Sequence, residues 1–170
     1  MPETTQKTVF EAIKTKRAVR EFQDRPISEY DVNHILDAGR RAQSARNHQS
    51  WQFIVMTDRD LLARMADASE RAGHLKGAAC GVAVLISEGP WTLFDAGQCI
   101  AYMQLAAWEL GISSGIGSFA DPEKARGILH FPAEWKLGIC LSLGYAAHPP
   151  APAKAGGREP LDKLVHRNGW

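Results

Sequence analysis

Apolar and polar positions along the chain follow two periods, and the places where one gives way to the other mark out the elements. Residues 8–16 put Val9, Phe10 and Ile13 on one face with charged residues opposite, the spacing of an amphipathic helix. Ser28-Glu29-Tyr30-Asp31 has capping-box spacing, and Val32, Ile35, Leu36 and Gly39 carry a second helix to about Ala42. After a polar loop over 43–50 ending in Trp51, residues 52–56 read as a short strand, and Asp58 opens a helix to about Glu70. Residues 78–86 (AACGVAVLI) are a nearly continuous apolar run, the pattern of a strand covered on both faces. A short link through Gly89-Pro90-Trp91 leads to residues 96–110, apolar almost all round, which predicts a buried helix at a core centre or in a subunit interface. Residues 111–119 are rich in Gly and Ser and contain a strand. Asp121-Pro122-Glu123 then opens a helix with Asp as N-cap and Pro at its first position, and residues 135–145 (WKLGICLSLGY) form a further strand.

Beyond residue 146 the character changes. Pro149, Pro150, Pro152 and Pro160, with Gly156-Gly157, exclude a helix and predict an extended arm over 147–170, attached to one domain core over 1–146. Leu161, Leu164 and Val165 are suited to add a strand. Val165 and Trp170 need a partner surface, on the same body or on a second copy.

A length of 170 residues suits one compact domain. The balance of 20 Lys+Arg against 19 Asp+Glu leaves a formal charge of +1, so no global field points to nucleic acid or a membrane surface. The stretch MPETTQKTVFEAI carries acids and no long apolar core, so it reads as neither secretory signal nor anchor, and no apolar run reaches the length of a membrane span. Cys80, Cys99 and Cys140 are odd in number and far apart, which predicts buried thiols in a reducing, cytoplasmic setting. The six histidines are scattered without ligand spacing, so no metal site is expected.

Three motif matches fail on context. Gly111-Ile112-Ser113-Ser114-Gly115 fits the nucleophile elbow, but a helix precedes it where that chemistry needs a strand. Gly115-x-Gly117-x-x-Ala120 fits a dinucleotide fingerprint, but too little chain follows to complete the βα units. The cations of residues 14–25 are interleaved with Glu21 and Asp24 and lack aromatic partners, which argues against a nucleic-acid footprint.

Lys16, Arg17 and Arg20 remain, three cations within five residues at a helix end, an arrangement open to an anion or to plain solvent. They belong to Lys16-Arg17-Ala18-Val19-Arg20-Glu21-Phe22, which resembles the Arg-Arg-Ser-x-Arg-x-Phe motif of the FMN-dependent nitroreductase family. Residues 42–53 (AQSARNHQSWQF) are similar to that family's A-P-S-x-x-N-x-Q-P-W-x-F, the most specific of the likenesses. Ser114-Gly115-Ile116-Gly117-Ser118-Phe119 after the apolar helix, and Leu143-Gly144-Tyr145 followed by Arg158-Glu159-Pro160-Leu161, complete a resemblance that covers nearly the whole chain.

The resemblance implies an α+β fold, an α/β/α sandwich about a mixed, mostly antiparallel sheet, and an intertwined homodimer with FMN at the interface. It implies that Lys16 or Arg17, with Arg20 and Arg158, holds the phosphate, and that Ala18 stands where a cofactor-contacting Ser is usual. Gln43, Ser44, Ala45 and Asn47 would line the flavin from the other protomer. The backbone of Ile116, Gly117 and Ser118 would approach the ring, helped by the missing side chain of Gly117. Plainer roles stand beside these: Asn47 and Gln49 bracing their own loop, Gly117 as a turn, and Trp51 as core. Departures from the family pattern are Ala18, Gln43, Ser50, Gly156 and a short link over 87–94, which leaves Trp91 and Phe94 near the mouth of an open site.

The implied activity is an oxidoreductase in which NADH or NADPH reduces bound FMN. The flavin then passes electrons to a nitroaromatic, quinone or other flat small molecule by ping-pong kinetics, with no catalytic side chain singled out. The alternatives are a specialised flavoenzyme of the same fold (dehalogenation, azoline oxidation or flavin fragmentation) and a flavin-binding module with little turnover.

Overall fold

The computed structural model describes residues 8–150 and 157–170. The chain start through Lys7, part of the stretch expected to be neither signal nor anchor, and the arm positions Pro152 and Gly156 lie outside the described residues.

Four strands, β1 (Trp51–Met56), β2 (Cys80–Ile86), β3 (Ser113–Gly117) and β4 (Lys136–Gly144), form one sheet in the order β1-β2-β4-β3. Every neighbouring pair is antiparallel. Among the described residues a single parallel bridge, Ala18 to Ser114, is added on the outer side of β3, so the sheet is mixed at that edge. The helices are α1 (Val9–Thr15), α2 (Glu29–Arg40), α3 (Arg59–Asp67), α4 (Thr92–Glu109) and α5 (Pro122–Leu129).

Side chains of β2 alternate between two cores, as the period of two in a strand requires. Val82 and Val84 join Leu141 and Leu143 of β4 against Val32 and Ile35 of α2 and Cys99, Met103 and Ala107 of α4. Ala83 and Leu85 join Leu137 and Cys140 of β4 against Leu62 and Met65 of α3, Leu75, Ala125 of α5 and Phe131. That makes three layers, helix on sheet on helix, and explains why β2 reads as an unbroken apolar run. The register between β2 and β4 slips after Val84, where Gly138 sits against Ile86; a Cβ there would come within 3.1 Å of Ile86 Cγ2.

Several elements depart from the sequence expectation. The helix opened by Asp58 stops at Asp67, three residues early. α4 starts at Thr92 rather than near residue 96, because its N-cap, Trp91, makes no side-chain cap and so gives no sequence signal. The link before it shrinks accordingly. In the single chain α4 leaves Leu93, Phe94 and Tyr102 exposed, so that face is not at the core centre, and the interface placement is the one that would cover it. Leu161–Lys163 closes a single 3-10 turn on Pro160 instead of a strand. The three cysteines are free and buried as expected, and burial pushes their thiols up, Cys80 to about 11 and Cys99 and Cys140 to about 12. Among the described residues, no helix is long and apolar enough to cross a membrane.

Candidate functional site

The site starts at the end of α1. Thr8 and Glu11 form a full capping box at its N-terminus, and Trp108 Nε1 donates to Thr15 Oγ1 at 3.0 Å, tying its last residue to α4. The chain then runs extended along the open side of β3, where Val19 N donates to Ser114 O at 2.9 Å. Alternation in an extended segment puts Lys16, Ala18 and Arg20 on one side and Arg17 and Val19 on the other.

Lys16 Nζ donates to Gln104 Oε1 at 3.0 Å, and Gln104 Nε2 donates to Ser114 Oγ at 3.1 Å, a chain of contacts from the cation back to β3. Burial holds the Lys16 ammonium below the ordinary lysine range. Among the described residues neither Lys16 nor Arg20 has a carboxylate within ion-pair distance; every such pair lies elsewhere. A partly desolvated cation that rests on a neutral amide gains most from an incoming anion.

Arg20 lines a cavity of about 560 Å³ with Glu70, Arg71, His74, Ile116 and Ser118. Arg17 is set apart. Its Nη1 folds back to the carbonyls of Lys14 and Lys16 at 2.8 and 2.9 Å, and it lines a different cavity with Arg25, Trp108 and Tyr145. The three cations therefore do not converge within the chain.

The backbone of residues 116–118 is already engaged. Ile116 O accepts from His74 Nε2 at 3.2 Å, and Ser118 O accepts from Ser69 Oγ at 2.7 Å. Gly117 is neither a turn nor open on its Cβ side: it lies in β3, and a Cβ there would meet Ala72 Cβ at 3.0 Å. Its missing side chain serves packing inside the chain first.

His74 was not singled out by sequence, because a lone histidine in a non-periodic stretch carries no signal. A carbonyl only accepts, so Nε2 bears the proton toward Ile116 O. Nδ1 lies 2.8 Å from Ser142 Oγ, which is also 3.3 Å from Gly115 O. With a neutral ring the Ser142 hydroxyl donates to Nδ1; with a charged ring it must turn to Gly115 O. Burial foremost, and the Arg20 charge further, hold His74 below its usual value, against the opposing pull of the Ile116 bond. The neutral form is favoured.

The loop carrying Gln43, Ser44, Ala45 and Asn47 is elsewhere. A 3-10 turn, Ala45–Asn47, sits in a loop in which Arg46, Asn47 and Gln49 all take positive φ (51°, 59° and 49°). Ala45 N donates to the buried Asp95 of α4 at 3.1 Å. Ala45, Arg46 and His48 line a cavity of about 540 Å³ with Trp91, Thr92 and Asp95, and no residue lines both this cavity and that of Arg20. Asn47 is exposed and its side-chain amide makes no hydrogen bond among the described residues, whereas Gln49 Nε2 reaches Asn47 O at only 3.5 Å. Arg158 is exposed and does not line the cavity that holds Arg20. Trp51 is buried in the core. Phe94 is exposed on α4, one turn from Trp91.

Ser113 of the elbow-like match is buried in β3 directly after α4, without the strand–turn–helix setting of a nucleophile.

The sequence pattern of the nitroreductase family matches residues 13–87, the span holding the cation segment, the 43–50 loop and β2. A protein of Archaeoglobus fulgidus provisionally named NADH dehydrogenase/NAD(P)H nitroreductase is 32% identical over 93% of this chain and 96% of its own length. The chain belongs to the nitroreductase family. The nitroreductase fold is found again in solved structures. A similarly named protein of Parabacteroides distasonis superposes with a TM-score of 0.87 at 24% identity over 95% of this chain and 98% of its own. An FMN-dependent nitroreductase of Clostridium difficile does so with a TM-score of 0.85 at 22% identity over 94% and 98%. The α/β/α sandwich expected from the sequence is therefore the fold of this nitroreductase-family chain.

Proposed function

We propose that this protein is an FMN-dependent NAD(P)H oxidoreductase that works as a homodimer in the cytoplasm. The observation that carries it is the pair of cations flanking Ala18. Lys16 and Arg20 are laid along β3, a segment nearly a hundred positions away in sequence, with Arg20 on the cavity that Ile116 and Ser118 line, and neither has an anionic partner among the described residues. Residues suited to a flavin mononucleotide are present: cations for its phosphate, a cavity in the size range of small-molecule sites, and at Asn47 an amide that makes no hydrogen bond among the described residues. The nicotinamide co-substrate and the flavin are supported by family membership and by the printed names of the Archaeoglobus and Clostridium proteins.

Lys16, Arg20 and Arg158 would hold the phosphate, Arg158 from the far end of the chain. Ala18 lies against β3 without contributing a hydroxyl. The backbone of Ile116, Gly117 and Ser118 would border the ring, held in place by His74 and Ser69. Gln43, Ser44, Ala45 and Asn47 would close the site from a second copy, since Ala45 lines a cavity that shares no residue with that of Arg20. Arg17, turned the other way, is left to structural duty. When bound, FMN would supply two-electron transfer from NADH or NADPH to a nitroaromatic, quinone or other flat acceptor. Both substrates would use the same pocket in turn, which gives ping-pong kinetics. The 1–146 body would form the core of the site, and the 147–170 arm would pack on the partner and bring Arg158 to it.

Visible absorption of the purified protein, followed by FMN titration of Arg20→Ala and Arg158→Ala, tests the assignment. Each lost charge-assisted contact is expected to weaken FMN binding by roughly ten- to a hundredfold while the far-UV circular dichroism stays unchanged. Wild-type affinity in both variants would refute the phosphate pocket.

A further inference from the structure

We propose that Asp95 is a positioning residue for cofactor binding: its carboxylate fastens the strained 43–49 loop to α4 and holds it ready to line the flavin. The proposal rests on the reading of that loop as part of a flavin site, and extends it to a residue that itself touches no cofactor.

The loop has reason to move. Three of its residues, Arg46, Asn47 and Gln49, occupy the left-handed region without being glycine, a conformation that persists only where surroundings enforce it. Its internal bonds are local. Asn47 N donates to Ser44 O at 2.9 Å, His48 N to Ala45 O at 3.1 Å, and Gln49 N to Ser44 Oγ at 2.9 Å. These bonds shape the turn but do not say where it sits. Among the described residues, positions 43–49 make two hydrogen bonds to other elements: Trp51 N, two residues on at the adjoining start of β1, donates to Gln49 O at 2.8 Å, and Ala45 N donates to Asp95 Oδ2 at 3.1 Å, 50 positions away, the one that reaches a segment distant in sequence.

Asp95 is well placed for this. It is 3% exposed, in the first turn of α4, where the partial positive charge of the helix N-terminus favours a carboxylate. Its own amide is committed to Trp91 O at 2.9 Å, which fixes the backbone that carries it. A buried carboxylate needs a donor, and Ala45 N supplies one. The departure at Gln43 and Ser50, where the family usually has proline, strengthens the case. A loop without proline stiffening at either end depends more on an external fastening.

The test compares Asp95→Ala with Asp95→Asn, whose amide oxygen can still accept from Ala45 N. FMN affinity is expected to fall roughly tenfold in Asp95→Ala and to stay within about twofold of wild type in Asp95→Asn. Hydrogen exchange of the Ala45 amide, measured without FMN, is expected to be slow in wild type and Asp95→Asn and fast in Asp95→Ala. Should Asp95→Ala fail to fold, the Asn variant and the wild-type Ala45 amide decide alone. Unchanged affinity in Asp95→Ala, equal weakening in both variants, or an Ala45 amide in wild type that exchanges like an unstructured peptide would overturn the fastening. Wild-type protein that binds no FMN would instead refute the flavin reading, while Ala45 exchange still reports whether Asp95 holds the loop.

Discussion

His74 shows how much of the site depends on a single proton. Its ring spans Ile116 of β3 and Ser142 of β4, and Arg20, Glu21, Glu70 and Arg71 share the cavity it faces. The folded chain favours the neutral ring, so His74 binds fewer protons folded than unfolded at mildly acidic pH. Stability linked to this group is complete above the unfolded value of 6.5, and it is lost as pH falls through the lowered folded value. Thermal unfolding of wild type between pH 8 and 5 should therefore show a decline on the acid side that His74→Gln lacks. Parallel melting curves for the two proteins across that range would show that His74 carries no such linkage. Nothing in the sequence announces this residue, whereas Lys16 and Arg20 stand out as charges clustered at a helix end. Arg17 stood out equally and turned away, because alternation in an extended segment is decided by which neighbour pairs with β3.

At the scale of elements, β3 is seated by close approach. A Cβ on Gly115 would come within 2.6 Å of Val19 O and 2.8 Å of Ser142 Oγ, so the N-terminal segment lies on this strand with no room for a side chain. Gly81 is crowded as well, but by Met56 Cε at 2.8 Å and Leu62 Cδ2 at 2.9 Å, the ends of flexible side chains. Gly115→Ala must displace backbone and is expected to cost about 1–3 kcal/mol in urea denaturation, with Gly81→Ala costing clearly less. It should also weaken FMN binding, since Lys16 and Arg20 reach the site through this contact; equal stability and affinity for the two variants would contradict that role. Elements with strong local signals were legible in the sequence. Asp121 caps α5 ahead of Pro122 as expected, and β2 follows its apolar run. α4 was legible in its middle and not at its start, where Trp91 offers no cap, and Asp95 fell just ahead of the helix expected from residue 96. Its burial comes from tertiary packing, which local patterns do not report.

For the whole molecule, Arg20, Ile116 and Ser118 line one cavity and Ala45 lines another that shares no residue with it, and a second copy is the simplest way to bring the two groups of expected site residues together. The exposed apolar side chains suit that arrangement. Val9, Phe10 and Ile13 of α1 and Leu93, Phe94 and Tyr102 of α4 all face solvent in the single chain, although α4 is otherwise a core helix. A net charge of +1 puts little long-range repulsion between two copies. Light scattering should accordingly give twice the chain mass at micromolar concentration. Because Phe10 and Phe94 are 67% and 66% exposed, replacing both by Glu removes little from the core of one chain. Two buried, unpaired carboxylates in an interface would be severe. The double variant should therefore remain folded by circular dichroism, run as a single chain and lose FMN affinity at least tenfold, because residues 43–47 of a second copy no longer reach the cations of the first. A folded single chain that binds FMN as tightly as wild type would show that the two cavities work independently.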